Sequence, residues 1–213
     1  MISQLLKSIY KIVNMPNFNP DFLSSGQLDS KQWLVEQLSE LDLNLGTVFI
    51  CAGWYGSLAT LMFENGLRVD KIRSFDIDPT CSEIADTINI PWVIDGWRFK
   101  SVTQNIMDIN YENHRWQAWS NSKNRLSNVI NDRPNTIINT SCEHIENFDD
   151  WYSLIPAGKL VVLQSNNYFE IEEHVNCFES LEKFVDKVHM TQLLYSGELV
   201  LPKYSRYMAI GIK

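Results

Sequence analysis

Apolar positions in this chain fall into two rhythms, short consecutive runs and stripes spaced three or four residues apart, and their order along the sequence predicts alternating strands and helices. The opening stretch sets Ile2, Leu5, Leu6, Ile9, Tyr10 and Val13 at helical spacing. Residues 14–28 are rich in Asn, Pro, Ser and Gly and read as an irregular connection. A second helix follows, capped by Asp29 or Ser30, with Trp33, Leu34, Leu38 and Leu41 on one side. Gly46 then precedes a first strand through Val48, Phe49 and Ile50, which meets a small-residue turn from Cys51 to Gly56. Leu58, Leu61 and Met62 give the next helix its inward face, and Asn65 with Gly66 stops it. A second strand spans Lys71 to Phe75 and ends at Asp76.

Beyond that point Asp78 and Pro79 suit the start of a helix running to about Ile88, because proline lacks only an N–H that would be orphaned there. Pro91 to Phe99 is read as a tryptophan-bearing loop or short strand, and Ser101 to Met107 as a third strand ending at Asp108. The polar residues 110–132, anchored by Trp116, Trp119 and Leu126, predict a helix with long connections. Thr136 to Asn139 makes a fourth strand, and Lys159 to Leu163 a fifth. A helix expected over Glu170 to Phe184 carries His174 and Cys177 without further ligands, so no metal site is expected there. Lys187 to Tyr195 and Tyr204 to Ile212 are two strands with no helical pattern between them, and they should pair antiparallel.

Composition narrows this picture. With 213 residues, 45% of them hydrophobic, the chain can fill one α/β core and is too short for two ordinary domains. The expected division is a helical N-terminal cap over 1–45 and a ligand-binding domain over 46–213. A net charge of −8 disfavours a polyanion as main partner, since such affinity comes largely from phosphate neutralisation. Lys123 with Arg125, or Arg98 with Lys100, could still touch phosphate. Cys51, Cys81, Cys142 and Cys177 are widely spaced, which fits reduced thiols in a cytoplasmic protein. No apolar run reaches the length of a membrane span.

The segment from Thr47 to Pro79 carries most of the chemistry. A strand, a turn with Gly53 and Gly56, a helix and a second strand with an acidic tip is the order that builds a nucleoside pocket, the glycines admitting close backbone approach and Asp76 accepting from ribose hydroxyls. At the fourth strand's exit stand Asn139, Thr140, Ser141, Cys142, Glu143 and His144, where open α/β sheets bind ligands. His144 could remove a proton from an acceptor, with Glu143 orienting it, while helix capping explains Ser141 and Glu143 equally well. Gln164, Ser165, Asn166 and Asn167 follow the fifth strand, where their polar groups could read a substrate.

About seven strands, helices between the early ones and a closing antiparallel pair resemble the class I S-adenosylmethionine-dependent methyltransferases over roughly residues 30–213. The resemblance implies a three-layer Rossmann-like α/β fold, mostly parallel with an antiparallel C-terminal strand, and S-adenosylmethionine as cofactor. It places the methionine end of the cofactor on Cys51, Ala52, Gly53, Trp54, Tyr55 and Gly56, the ribose on Asp76 beside Ile77, and the adenine side on Asp108, with Asn139 at the crevice. The chain departs from the family pattern in having Cys51 where the loop usually opens with an acid and Tyr55 where a second glycine commonly falls. The segment after the fourth strand is not the N-P-P-Y type of enzymes that methylate planar exocyclic nitrogens. The expected acceptor is a small polar molecule, with RNA as the alternative, and the protein is expected to be a monomer or homodimer. Two other classes stay open: a nicotinamide-dependent oxidoreductase, for which G-x-x-G replaces the usual G-x-G-x-x-G, and a non-catalytic cofactor-binding partner.

Overall fold

A computed structural model describes residues 2–16, 18–120 and 124–213. In chain order the elements are α1 (Ile2–Ile12), α2 (Ser25–Glu40), β1 (Asn44–Cys51), α3 (Ser57–Glu64), β2 (Arg68–Asp76), α4 (Cys81–Ile88), α5 (Ile90–Ile94) and β3 (Phe99–Thr103). Then come β4 (His114–Trp116), β5 (Trp119–Ser120), β6 (Arg125–Leu126), β7 (Ile130–Asp132), β8 (Thr136–Asn139), α6 (Phe148–Leu154), β9 (Leu160–Asn166), α7 (Leu181–Val188), β10 (Gln192–Val200) and β11 (Ser205–Ile212). Seven strands form one sheet in the order β10-β11-β9-β8-β1-β2-β3. The five from β9 to β3 run parallel, and β11 inserts antiparallel between β9 and β10.

Period-two alternation divides the core into two layers around this sheet. Val48 and Ile50 of β1, Ile138, Val162, Met208 and Ile210 pack with α2 and α3 through Leu34, Leu38, Leu58 and Met62. Phe49 and Cys51, Ile137, Val161, Leu163 and Ala209 face the other way, against Trp151 of α6 and Phe184 of α7. α2 packs into the same core as β1. A third, smaller cluster joins Ile12 and Phe22 to Tyr55, Cys81, Ile84 and Ile88, seating the N-terminal residues on α4.

Several predicted elements differ. α2 starts at Ser25, with Ser24 at its N-cap, earlier than Asp29, because a short 3-10 turn over Pro20–Leu23 already directs the chain. Asp78 does not begin a helix at Pro79; its carboxylate accepts from the Thr80 N–H and hydroxyl, and α4 starts at Cys81. Within the expected loop at 91–99, residues Ile90–Ile94 are helical, with Pro91 in the first turn. The third strand ends at Thr103, and Asp108 lies in a separate 3-10 turn.

The expected helix in 110–132 is replaced by two small antiparallel ladders, β4 with β7 and β5 with β6. A buried ionic knot holds the first. Asp132 Oδ2 accepts from Arg73 Nε at 2.7 Å and Trp116 Nε1 at 2.8 Å, and Lys71 Nζ lies 2.5 Å from Oδ1. Burial pushes this carboxyl up, yet Arg73 and the hydrogen bonds from Lys71 and Trp116 outweigh it and hold it below the usual range. The helix expected over 170–184 starts only at Leu181, capped by the Ser180 hydroxyl.

Candidate functional site

The sheet changes winding direction between β1 and β8, so the carboxyl ends of β1, β2 and β8 bound the crevice where this architecture binds ligands. The turn after β1 lines it. Ala52 (φ 53°) and Trp54 (φ 47°) adopt left-handed backbone that side chains disfavour, strain of the kind that gathers at ligand sites. Gly53 sits between them with its N–H on the Phe75 carbonyl at 2.9 Å, so close to β2 that a Cβ would collide with the Ser74 hydroxyl. Below the turn, buried Asn89 donates to the Gly56 carbonyl at 3.1 Å and fixes the start of α3.

Asp76 closes this turn. Its Oδ2 accepts the Trp54 N–H at 2.8 Å and its Oδ1 the Asp78 N–H at 3.0 Å. Each oxygen keeps a second lone pair, which is what a pair of vicinal hydroxyls needs. Ile77 beside it is 68% exposed, an apolar wall at the crevice rim. Gln104 donates its N–H to the Asp76 carbonyl at 2.9 Å and its side-chain amide to the Asp108 carbonyl at 3.0 Å, which ties the turn containing exposed Asp108 to the tip of β2.

Cys51 and Tyr55 face away from solvent. The Cys51 thiol lies 3.5 Å from the Tyr111 hydroxyl, and burial pushes its pKa up to about 12, so it is a neutral buried group. Cys142 is likewise raised by burial. The Tyr55 ring is buried among Ile12, Phe22 and Ile84, and its hydroxyl accepts the Asn19 N–H at 3.2 Å. Across the crevice Asn139 is fully buried; its Oδ1 accepts the Ser141 N–H at 2.8 Å, while its Nδ2 has no partner among the described residues. A buried amide donor left open at a strand tip invites an acceptor.

The face beyond β8 is more tightly tied than its sequence suggests. Glu143 is buried and its Oε1 takes both terminal nitrogens of Arg206 at 3.1 Å, while Arg206 also reaches the Thr140 carbonyl at 2.8 Å. Lys31, only 7% exposed, donates to Gln27, and burial together with neighbouring Arg206 lowers its pKa to about 7 against the pull of Asp21 and Glu143. His144 is exposed, with Nδ1 3.1 Å from the Glu173 carbonyl. The polar residues expected past the fifth strand belong to β9 or its exit and bind within the chain. Gln164 donates to the Ser30 carbonyl, Ser165 to that of Asn176, and the Asn166 and Asn167 oxygens accept from Tyr168 and Ser205.

Of the residues named from sequence, the turn, Asp76, Ile77 and Asn139 gather at one crevice, and Glu143 and His144 stand on the β8 exit beside it. Arg206 and His174 were not foreseen there. Arg206 carried a readable signal, a lone cation in phase with inward-facing Met208 and Ile210. The Arg98 and Lys100 side chains are engaged with the Val69 carbonyl and Asp86, Arg125 is exposed, and Lys123 lies outside the described residues.

No protein-family model matches the chain, and no curated protein matches it by sequence. Solved structures do match. The N-methyltransferase NodS from Bradyrhizobium japonicum WM9, in complex with S-adenosylhomocysteine, aligns at a TM-score of 0.62 and 9% identity over 99% of this chain and 98% of its own. Magnesium protoporphyrin IX methyltransferase from Synechocystis PCC 6803, with bound S-adenosylmethionine, aligns at 0.59 and 12% identity over 98% and 90%. The small RNA methyltransferase HEN1 aligns at 0.62 and 13% identity, covering 92% of this chain and 26% of that one. Strand order, the antiparallel insertion of β11 and these superpositions establish that the chain has the Rossmann-like fold of the class I S-adenosylmethionine-dependent methyltransferases.

Proposed function

We propose that this protein is an S-adenosylmethionine-dependent methyltransferase acting on a polar acceptor. The observation that carries the reading is Asp76, whose carboxylate holds the strained β1 turn in place and keeps lone pairs for two sugar hydroxyls. The residues fit the cofactor on two further counts: the open Asn139 amide at the same crevice and the apolar Ile77 rim. When bound, the cofactor supplies an activated methyl on a sulfonium, so the protein needs no nucleophile of its own.

What the chain contributes is placement. The turn fixes the crevice floor, Asp76 orients the sugar, and the β8 exit presents the acceptor side. His144 donates Nδ1–H to a carbonyl, which leaves the Nε2 lone pair free for an acceptor proton. Glu143, held by Arg206, positions that exit. With Cys51 neutral, the methionine ammonium has to be met by a main-chain carbonyl of the turn or by another side chain. A small acceptor is favoured over RNA because Arg98 and Lys100 are engaged within the chain.

Titration calorimetry with S-adenosylmethionine, S-adenosylhomocysteine and NAD tests the reading. Binding of the first two and not the third is expected, and preference for NAD overturns it. Methyl-tritiated cofactor added to fractionated extract should then label metabolites, with label in RNA pointing to the alternative acceptor. Tight binding with no labelled fraction would favour the non-catalytic role that the missing loop acid suggests.

A further inference from the structure

The turn that follows β8 and the long connection that follows β9 meet at a cluster the sequence keeps far apart. Glu143, His144 and His174 each offer a donor atom, and the three atoms lie within 4.8 Å of one another. The two imidazole rings are 4.7 Å apart between centroids and nearly perpendicular. Such proximity alone is common. The tautomers and the carboxylate make this case different.

His144 Nδ1 faces the Glu173 carbonyl at 3.1 Å, and His174 Nδ1 faces the Tyr168 carbonyl at 2.8 Å. A carbonyl only accepts, so in each ring Nδ1 carries the proton and Nε2 carries the lone pair. That is the arrangement in which histidine binds metals, the second nitrogen anchored on a backbone oxygen. Glu143 completes the set. Its Oε1 is taken by Arg206, while Oε2 is buried with no hydrogen-bond partner among the described residues. Leaving a carboxylate oxygen dry and unpaired is costly, and the cost is removed when a cation sits on it.

Neighbouring hydrogen bonds hold the pieces together. Asn176 donates its N–H to the Glu143 carbonyl at 3.0 Å and its side-chain amide to the Cys142 carbonyl at 3.2 Å, pinning the His174 segment onto the β8 exit. Arg206 opposes a cation by charge, but it binds Oε1 and leaves Oε2 without a partner among the described residues, fixing the carboxylate's orientation as outer partners of ligating carboxylates do.

We infer that Glu143, His144 and His174 form a binding site for one divalent transition-metal cation. Two imidazoles and one carboxylate suit zinc, cobalt or manganese better than magnesium or calcium, which prefer all-oxygen sets. Three protein ligands leave coordination positions open. Given the methyltransferase reading on which this part rests, an open position at the β8 exit would hold an acceptor oxygen, and His144 would then act as a metal ligand and not as a base.

The test uses untagged full-length protein, Co2+ as probe and visible absorption with calorimetry as readouts. One Co2+ per chain with a ligand-field band is expected, displaced by Zn2+. His144→Ala and His174→Ala should each weaken binding about 10-fold or more, since losing even an outer partner of a ligand costs about that much. Far-ultraviolet circular dichroism checks that both variants fold. If one fails to fold, Co2+ protection of His174 against diethylpyrocarbonate in the wild type replaces it. Absence of stoichiometric Co2+ binding, or wild-type affinity in both folded variants, overturns the site. S-adenosylhomocysteine binding measured on the same samples separates the two readings: metal uptake without nucleoside binding sinks the methyltransferase proposal and leaves the metal site standing.

Discussion

Replacing Asp76 by Asn keeps its shape and removes one acceptor. The wild-type carboxylate satisfies two main-chain donors, the Trp54 N–H at 2.8 Å and the Asp78 N–H at 3.0 Å. The amide has a single oxygen, so one of these N–H groups must face an NH2 group instead. Hydrogen bonds to a charged group are worth about 1.5 to 3 kcal/mol each, and Asp76 is only partly buried, which favours the lower end. The turn it secures also holds Ala52 and Trp54 in left-handed backbone, so the loss falls on strained residues. We expect the ligand-free Asn variant to be less stable by about 1 to 2 kcal/mol in urea denaturation. Affinity for S-adenosylhomocysteine should fall by about 1 to 3 kcal/mol, since both sugar contacts and turn geometry suffer. A purely structural carboxylate would lower stability while sparing affinity after correction for the unfolded fraction; a purely ligand-binding one would do the reverse. A variant with wild-type midpoint and wild-type affinity would refute the assignment altogether.

Three other outcomes follow from the same structure. Gly53→Ala should destabilise by about 1 to 3 kcal/mol through overpacking, and Ser74→Ala in the same chain should recover much of that loss by thermal melting, because the added Cβ meets the Ser74 hydroxyl. Lys31 has a folded pKa of about 7 against an ordinary 10.5, so the folded protein binds fewer protons than the unfolded one between those values and its stability rises with pH across that window. Lys31→Met should flatten this rise and stabilise the protein below pH 7 by up to about 5 kcal/mol, and parallel stability curves against pH would contradict it. Asp132→Asn strands Arg73 and Lys71 and should cost about 3 to 5 kcal/mol at neutral pH. Because the folded Asp132 carboxyl lies below its unfolded value, its contribution is present above the ordinary carboxylate range and lost as pH falls through the folded value, so the variant's deficit should shrink in acid.

The β1 turn, α3 and Asp76 were legible because their signals are local: an apolar run, small residues, a helical stripe and a second apolar run follow within about thirty residues. The misread segments are those whose structure is decided at a distance. In 110–132 the tryptophans suggested an anchored helix, yet Trp116 is committed to Asp132 and through it to Arg73 on β2. Residues 170–180 have helix-compatible acidic residues, but the N–H of Phe178 bonds to the Asn166 carbonyl, and Ser165 and Asn176 tie the segment to the tips of β9 and β8. Those tertiary bonds outcompete a weak local preference. The same tie explains why His174 could not be placed beside Glu143 from spacing alone.

Tyr55 carries one more implication. Its backbone belongs to the turn that lines the crevice, while its ring and hydroxyl are gripped by Ile12, Phe22 and the Asn19 N–H from the first twenty-odd residues. One residue is thus shared by two tenants, so whatever steadies the turn must also tighten the N-terminal helix against α4, by reciprocal linkage. Nucleoside occupancy should accordingly shield that helix from trimming by proteases, and clipping it away should loosen the grip on ligand by the same factor.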